Sequence, residues 1–157
     1  MCAHSGEESL IVAPLETTDV GPEMFQKALV PVDGSPVTAG LVAYAIGFAK
    51  KAGCSLTFLY IVDLPQTAPA AEIEKQKAAN MKIPEESRQK AAEEGVASSS
   101  MVEIGKPAET VICMADREKF DLIILGSRGY SRLKRLIVGS VADKVMEHAP
   151  CPVLIFR

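Results

Sequence analysis

Strands alternating with helices over 157 residues predict an α/β domain with a doubly wound, five-stranded parallel sheet and helices on both faces. Three observations lead there. Unbroken apolar runs such as Leu122-Ile-Ile-Leu125 have the pattern of strands buried on both sides. Between them lie segments with apolar residues at helical spacing, bounded by capping and stopping signals. One apolar run opens into a glycine-rich basic loop, Gly126 to Ser140, that ends where a helix pattern starts. Such alternation implies βαβ units with right-handed crossovers.

The first strand is Lys27 to Val32, ending in the turn chemistry of Pro31-Val-Asp-Gly-Ser35. Ser35 reads as an N-cap and Pro36 as the first helical residue. This helix runs to about Lys51, with Leu41, Ala45, Phe48 and Ala49 on one face and Gly53 as its stop. Ser55 to Val62 is the second strand. Ala71 to Met81 and Glu85 to Glu94 are both helical in composition. Pro84 between them predicts two pieces or one bent helix. Their weakly apolar faces suit a solvated crossover better than a lid or an oligomer contact. Val96 to Ile104 is the third strand, and the serines at 98, 99 and 100 point to a sheet edge. Gly105-Lys-Pro107 starts the next helix, whose buried stripe is Ala108, Val111, Ile112 and Ala115. Leu122 to Leu125 is the fourth strand. The last helix has Val141, Ala142, Val145, Met146 and Ala149 on one face and stops at Pro150. Val153 to Phe156 is the fifth strand.

Composition narrows the function. The length fits one domain, and apolar residues are 48% of the chain with a net charge of −3. No basic surface favours nucleic acid, and no apolar run is long enough for a bilayer. The N-terminus lacks the features of a signal peptide, so the cytoplasm is expected. Residues 1–24 read as a flexible N-terminal extension with one apolar cluster, Leu10 to Val12. The cysteines at 2, 54, 113 and 151 and the histidines at 4 and 148 lack metal-site spacing. Cys54, Cys113 and Cys151 sit beside apolar stretches, as core residues do.

The chemistry concentrates in the glycine loop. Gly126, Gly129 and Gly139 allow the backbone to turn sharply and approach a ligand. The helix start at Ser140 offers unpaired N–H groups and the positive end of the dipole. Arg128, Arg132, Lys134 and Arg135 add charge, so a polyphosphate fits; a plain βα loop with solvated cations is the alternative. Asp33 suits a ribose hydroxyl or a metal near phosphates, or an ordinary capping turn. Val32 and Ile61 suit an adenine wall or plain core.

The spacing Gly126-x2-Gly129-x9-Gly139-Ser140 resembles the nucleotide-binding motif of the universal stress protein family. Lys27-Ala-Leu-Val-Pro-Val-Asp-Gly-Ser35 is similar to that family's first strand and loop. Gly105-Lys-Pro-Ala-Glu109 resembles the segment before its third helix, and Cys151-Pro-Val-Leu-Ile-Phe156 its last strand. The likeness makes 25–157 a universal stress protein domain. It implies an adenine nucleotide alpha hydrolase-like fold with strand order 3-2-1-4-5. A crevice then opens at the switch point between the first and fourth strands. The resemblance implies that Pro31, Asp33 and Ile61 frame adenine and ribose, beside Val32. It implies that Leu125, Gly126 and Gly129 contact ribose and phosphate, and that Gly139, Ser140 and Val141 hold the phosphates. Arg128 would support them electrostatically. The implied ligand is ATP, with Mg2+ or Mn2+.

The P-loop and the dinucleotide fingerprint are both absent. No residue stands out as a catalytic base or water-positioning group for hydrolysis, and His148 lies near the far end of the last helix. Binding is therefore expected rather than fast catalysis, with slow hydrolysis as the upper limit. A nucleotide-independent interaction module is the alternative, and an ATP-pyrophosphatase-like ligase would need a second domain. Val153-Leu-Ile-Phe156 is apolar on both faces, yet it falls at the sheet edge. Edge pairing with a second copy is expected, as the resemblance also implies. The downstream protein partner is not written in the sequence.

Overall fold

The computed structural model describes residues 24–127 and 139–157. Five strands form one parallel sheet: β1 (Lys27–Pro31), β2 (Ser55–Val62), β3 (Ser98–Ile104), β4 (Leu122–Gly126) and β5 (Val153–Phe156). Their order is β3-β2-β1-β4-β5. The helices are α1 (Pro36–Ala52), α2 (Ala70–Asn80), α3 (Lys82–Glu93), α4 (Pro107–Arg117) and α5 (Ser140–His148). Residues 1–23 of the N-terminal extension and the loop residues Arg128 and Gly129 lie outside the described residues.

Side-chain alternation along the strands divides the core in two. Ala28, Val30, Leu56, Phe58, Leu122 and Ile124 face α1 and α3, where they meet Leu41, Val42, Ala45 and Ala91. Leu29, Leu59, Ile123 and Leu125 face α4 and α5, against Val111, Ala115, Ala142 and Val145. Phe58, Leu29 and Ile123 are wholly buried, each contributing roughly 1.5–3 kcal/mol through burial. Cys54 belongs to the first layer, whereas Cys113 and Cys151 are only half-buried. At the base of the sheet Asp121 accepts hydrogen bonds from the N–H groups of Gln26 and Lys27, at 2.8 and 3.1 Å. This ties the start of β1 to the start of β4.

The connection between β2 and β3 differs from the sequence expectation. The helix breaks at Met81, not at Pro84. Pro84 occupies the first turn of α3, where a backbone N–H has no intrahelical acceptor, so its absence costs nothing. The helical ladder resumes with Glu85 N–H donating to the Met81 carbonyl at 3.1 Å. β1 stops one residue short of Val32, although Val32 N–H still donates to Leu59 at 2.8 Å. β3 starts at Ser98 rather than Val96 and lies at the edge, as its serines indicate. α2 has no buried residue, in keeping with a solvated crossover.

α3 is fastened to the β3 edge by charge. Arg88 reaches Glu85 through Nε at 2.9 Å and Nη2 at 2.6 Å, and Ser100 Oγ donates to Glu85 at 2.7 Å. The Arg88 guanidinium, then the Ser100 hydroxyl, hold the Glu85 carboxyl well below the usual carboxylate range, at about 2. A carboxylate depressed in the folded state adds stability above its ordinary pKa, and that stability is lost as pH falls through the folded value. Glu85→Gln is therefore expected to lower the melting temperature at neutral pH. The gap to the parent should close as pH falls from about 4.5 towards about 2. Thermal unfolding across that window checks it, and a pH-independent gap would contradict it.

Candidate functional site

The carboxyl ends of β1 and β4 diverge at the point where strand order reverses, the place where open α/β sheets take ligands. A crevice of about 410 Å³ opens there, within the range of roughly 300–1,000 Å³ usual for small-molecule sites. Pro31, Val32 and Asp33 enter it from the end of β1, and Ile61 from the end of β2. Leu125 and Gly126 come from β4, and Gly139, Ser140 and Val141 from the start of α5. Segments about a hundred residues apart in the chain thus meet at one opening. Arg128 and Gly129, the remaining predicted site residues, fall outside the described residues.

The α5 end offers free backbone donors. The first helical hydrogen bond runs from Asp143 N–H to the Gly139 carbonyl, at 2.9 Å. The N–H groups of Ser140, Val141 and Ala142 precede it and have no acceptor within the helix. They carry the positive end of the helix dipole. Gly139 N–H itself donates to the Ser127 carbonyl at 2.8 Å, and Ser127 N–H to the Phe156 carbonyl at 2.8 Å. The two ends of the glycine loop are thereby fixed to each other and to β5. A side chain at Gly139 would place its Cβ 3.3 Å from the Ser127 carbonyl oxygen, so that carbonyl would have to give by a few tenths of an ångström.

The α1 end has a different character. Gly34, with φ 72, adopts the left-handed conformation that turns the chain between Asp33 and Ser35. Asp33 Oδ1 accepts from Ser35 N–H and from Thr38 Oγ1, both at 2.9 Å. The capping reading of Asp33 is thus realised by one oxygen. Oδ2 has no described hydrogen bond and the residue is half-buried at the crevice. Asp33 is the one acidic residue among the described lining. Ser35 is buried and its hydroxyl has no partner, a situation that costs about 1–3 kcal/mol.

Ser35, Thr38, Tyr60, Pro107, Val111 and Ser127 also line the crevice and were not expected there. Ser35 and Pro107 carry helix-start signals in the sequence, which account for them locally and hide their place at the opening. Val111 follows the buried stripe of α4, and only the packing of α4 against the sheet brings it to the crevice. His148 ends α5 with Glu147 3.7 Å away, at the opposite end of the helix from Ser140.

A second hollow, of about 450 Å³, lies between α1 and α3. The exposed Lys50–Glu94 ion pair, 2.7 Å, borders it. It receives no strand end and no helix N-terminus, so the switch-point crevice is the better candidate. Among the described residues no group of His, Cys, Asp or Glu has the makings of a metal site, and no helix is long and apolar enough to cross a membrane.

Comparison with known proteins bears on this geometry. The universal stress protein family model matches residues 24–157. Universal stress protein YxiE of Bacillus subtilis is 34% identical over 148 residues, covering 85% of this chain and all of that protein. The structure of universal stress protein UspA from Lactobacillus plantarum superimposes with a TM-score of 0.71 at 30% identity, over 85% of this chain and 98% of that one. Two more distant structures have the same fold. One is a universal stress protein in complex with cAMP, at TM-score 0.67 and 24% identity, over 85% of this chain and 98% of that one. The other is a protein from Archaeoglobus fulgidus in complex with dAMP, at 0.64 and 17%, over 85% and 99%.

Proposed function

The chain belongs to the universal stress protein family, and from that premise we propose that it is an ATP-binding, nucleotide-responsive regulatory module of the cytoplasm. The observation that carries the reading is the crevice itself. A helix N-terminus with unpaired N–H groups stands at one end of it, and Asp33 with a spare carboxylate oxygen at the other. The first suits phosphates and the second a hydroxyl or amino donor, so the two ends match the two ends of a nucleotide. Val32, Ile61 and Leu125 between them offer the apolar surface that a purine ring needs. The complete glycine spacing Gly126, Gly129, Gly139 with Ser140 and the cAMP and dAMP complexes of two structural neighbours agree with it.

ATP would supply its charge and shape; the chain's residues would bind and orient it. Ser140 and Val141 would hold the phosphates through backbone N–H groups, with Gly139 leaving room beside them while its own N–H stays on the Ser127 carbonyl, and Gly126 would let the ribose–phosphate junction lie against the strand end. An accompanying Mg2+ or Mn2+ would depend on the phosphates and water, since Asp33 is the one carboxylate among the described lining residues. Asp33, the one carboxylate among the described lining, already accepts from Ser35 N–H and Thr38 Oγ1, and we read the site as holding ATP rather than turning it over quickly. A partner would then read the surface around the occupied loop.

We further read β5 as a homodimer edge. It is the outer strand of the sheet, and Val153, Leu154, Ile155 and Phe156 are apolar and each only half-buried. Unpaired apolar edges are the surfaces that a second copy covers.

The test uses protein purified without added nucleotide. Denaturation followed by chromatography is expected to release an adenine nucleotide, or the emptied protein to give a saturable heat with ATP and magnesium. The absence of both released nucleotide and binding heat would refute the binding reading and leave a nucleotide-independent interaction module.

A further inference from the structure

The Ser35 hydroxyl has no role in the fold. The residue is 6% exposed, and among the described residues its Oγ is the one buried side-chain polar atom without a hydrogen-bond partner. Ser35 stands at the N-cap of α1, yet its side chain makes no capping bond. Asp33 holds the turn instead, accepting from Ser35 N–H and Thr38 Oγ1. Thr38 N–H, the usual target of an N-cap hydroxyl, donates to the Ser35 carbonyl at 3.0 Å. Alanine would serve the local structure equally well. Ser35 nevertheless lines the crevice.

We propose that Ser35 Oγ is a ligand-recognition group that acts with Asp33 on the nucleoside part of the bound nucleotide. The inference rests on the adenine-nucleotide reading and extends it to a residue with no expected part in binding. The Asp33 carboxylate, bonded to Ser35 N–H, disfavours a phosphate at this end. A carboxylate only accepts hydrogen bonds, whereas a hydroxyl also donates. Side by side they complement an adjacent donor and acceptor. Adenine presents such a pair in its amino group and N1, and ribose presents one in its vicinal hydroxyls. Rotation about the single Cα–Cβ bond carries Oγ between staggered positions. No hydrogen bond holds it where it is, so turning it towards a ligand breaks none. The hydroxyl is then unpaired in the empty protein and paired in the loaded one, and the difference appears as affinity.

The test compares Ser35→Ala with the full-length parent. Calorimetric titration uses ATP, 2′-deoxy-ATP, 3′-deoxy-ATP and inosine triphosphate, and thermal unfolding is recorded without nucleotide. Ser35→Ala is expected to match or exceed the parent's melting temperature when empty, and to bind ATP about tenfold more weakly, or about 1.4 kcal/mol. The parent's preference for ATP over the deoxy analogues, if the sugar is read, or over inosine triphosphate, if the base is read, should shrink in the variant. Unchanged ATP affinity would overturn the proposal, and so would a lower melting temperature of the empty variant, which would give the hydroxyl a role in the fold. An equal loss for every analogue would overturn the nucleoside assignment. A parent that binds no nucleotide would refute the nucleotide reading itself, and the role of Ser35 with it.

Discussion

A Gly139→Val chain is expected to bind ATP about a hundredfold more weakly than the parent while melting within a few degrees of it. The loss follows from the two N–H contacts at the start of α5 that a valine would disturb. Hydrogen bonds to a charged group contribute about 1.5–3 kcal/mol each, and two at the lower figure make about 3 kcal/mol, or roughly a hundredfold. The backbone accepts the change, because Gly139 lies at φ −61 and ψ 154, ordinary extended geometry for any residue. Space does not accept it so readily. A Cβ there sits 3.3 Å from the Ser127 carbonyl oxygen, the same oxygen that receives Gly139 N–H. Either that carbonyl shifts and the loop ends part, or the branched side chain turns into the place of the phosphates. Gly139→Ala, with a single carbon, should fall between the two. Titration calorimetry beside thermal unfolding separates binding from folding. Normal ATP affinity in the valine variant would place the phosphates away from the α5 N-terminus.

The elements best read from the sequence are those whose signal is local. β2 is a strand-length segment dominated by Leu56, Phe58, Leu59, Ile61 and Val62, and its bounds coincide with those expected. α1 carries its own start and stop, Pro36 and Gly53, and ends within a residue of the expectation. Pro84 shows the limit of such reading. A proline breaks a helix only where its missing N–H would have had an acceptor, and whether it does depends on where the preceding helix ends. The crevice was legible for a different reason. Glycine spacing and the Pro31-Val-Asp turn record backbone constraints, and topology then brings β1, β4 and α5 together. Ser35 was not legible as a lining residue. Its local explanation, an N-cap, is sufficient in sequence, and only the hydrogen bonds of Asp33 show that the cap is supplied by another side chain. Tyr60 and Val111 reach the opening through packing alone, for which one chain's sequence holds no marker.

Ile155→Pro is expected to convert a β5-paired dimer into a monomer that still binds ATP, whereas Leu154→Pro should destabilise the sheet. The distinction comes from the direction of the backbone groups. Ile123 N–H donates to the Pro152 carbonyl, and Ser127 N–H to that of Phe156, at 3.0 and 2.8 Å. Along a parallel strand the N–H and C=O of one residue point to the same side, and the side alternates from residue to residue. Residues 152, 154 and 156 therefore address β4, while Val153 and Ile155 present theirs to the free edge. Proline at 155 removes a donor that only a second chain could use, and proline is tolerated on an edge strand in that orientation. Proline at 154 removes a donor from the β4 ladder and leaves a β4 carbonyl without its partner, a loss of about 1–3 kcal/mol against the roughly 5–15 kcal/mol that holds a domain folded. Sedimentation velocity on both variants and the parent, with melting curves alongside, separates assembly from folding. A parent that sediments as a monomer at every concentration would remove the dimer reading. An Ile155→Pro chain that stays dimeric would move the interface off β5. Because Ser127 bonds to Phe156 and closes the glycine loop on Gly139, the ATP affinity of the monomeric variant also reports whether pairing at the edge is felt in the crevice. An affinity within about threefold of the parent, or about 0.7 kcal/mol, is expected, since the crevice opens between β1 and β4 while the free edge of β5 lies on the side away from β4.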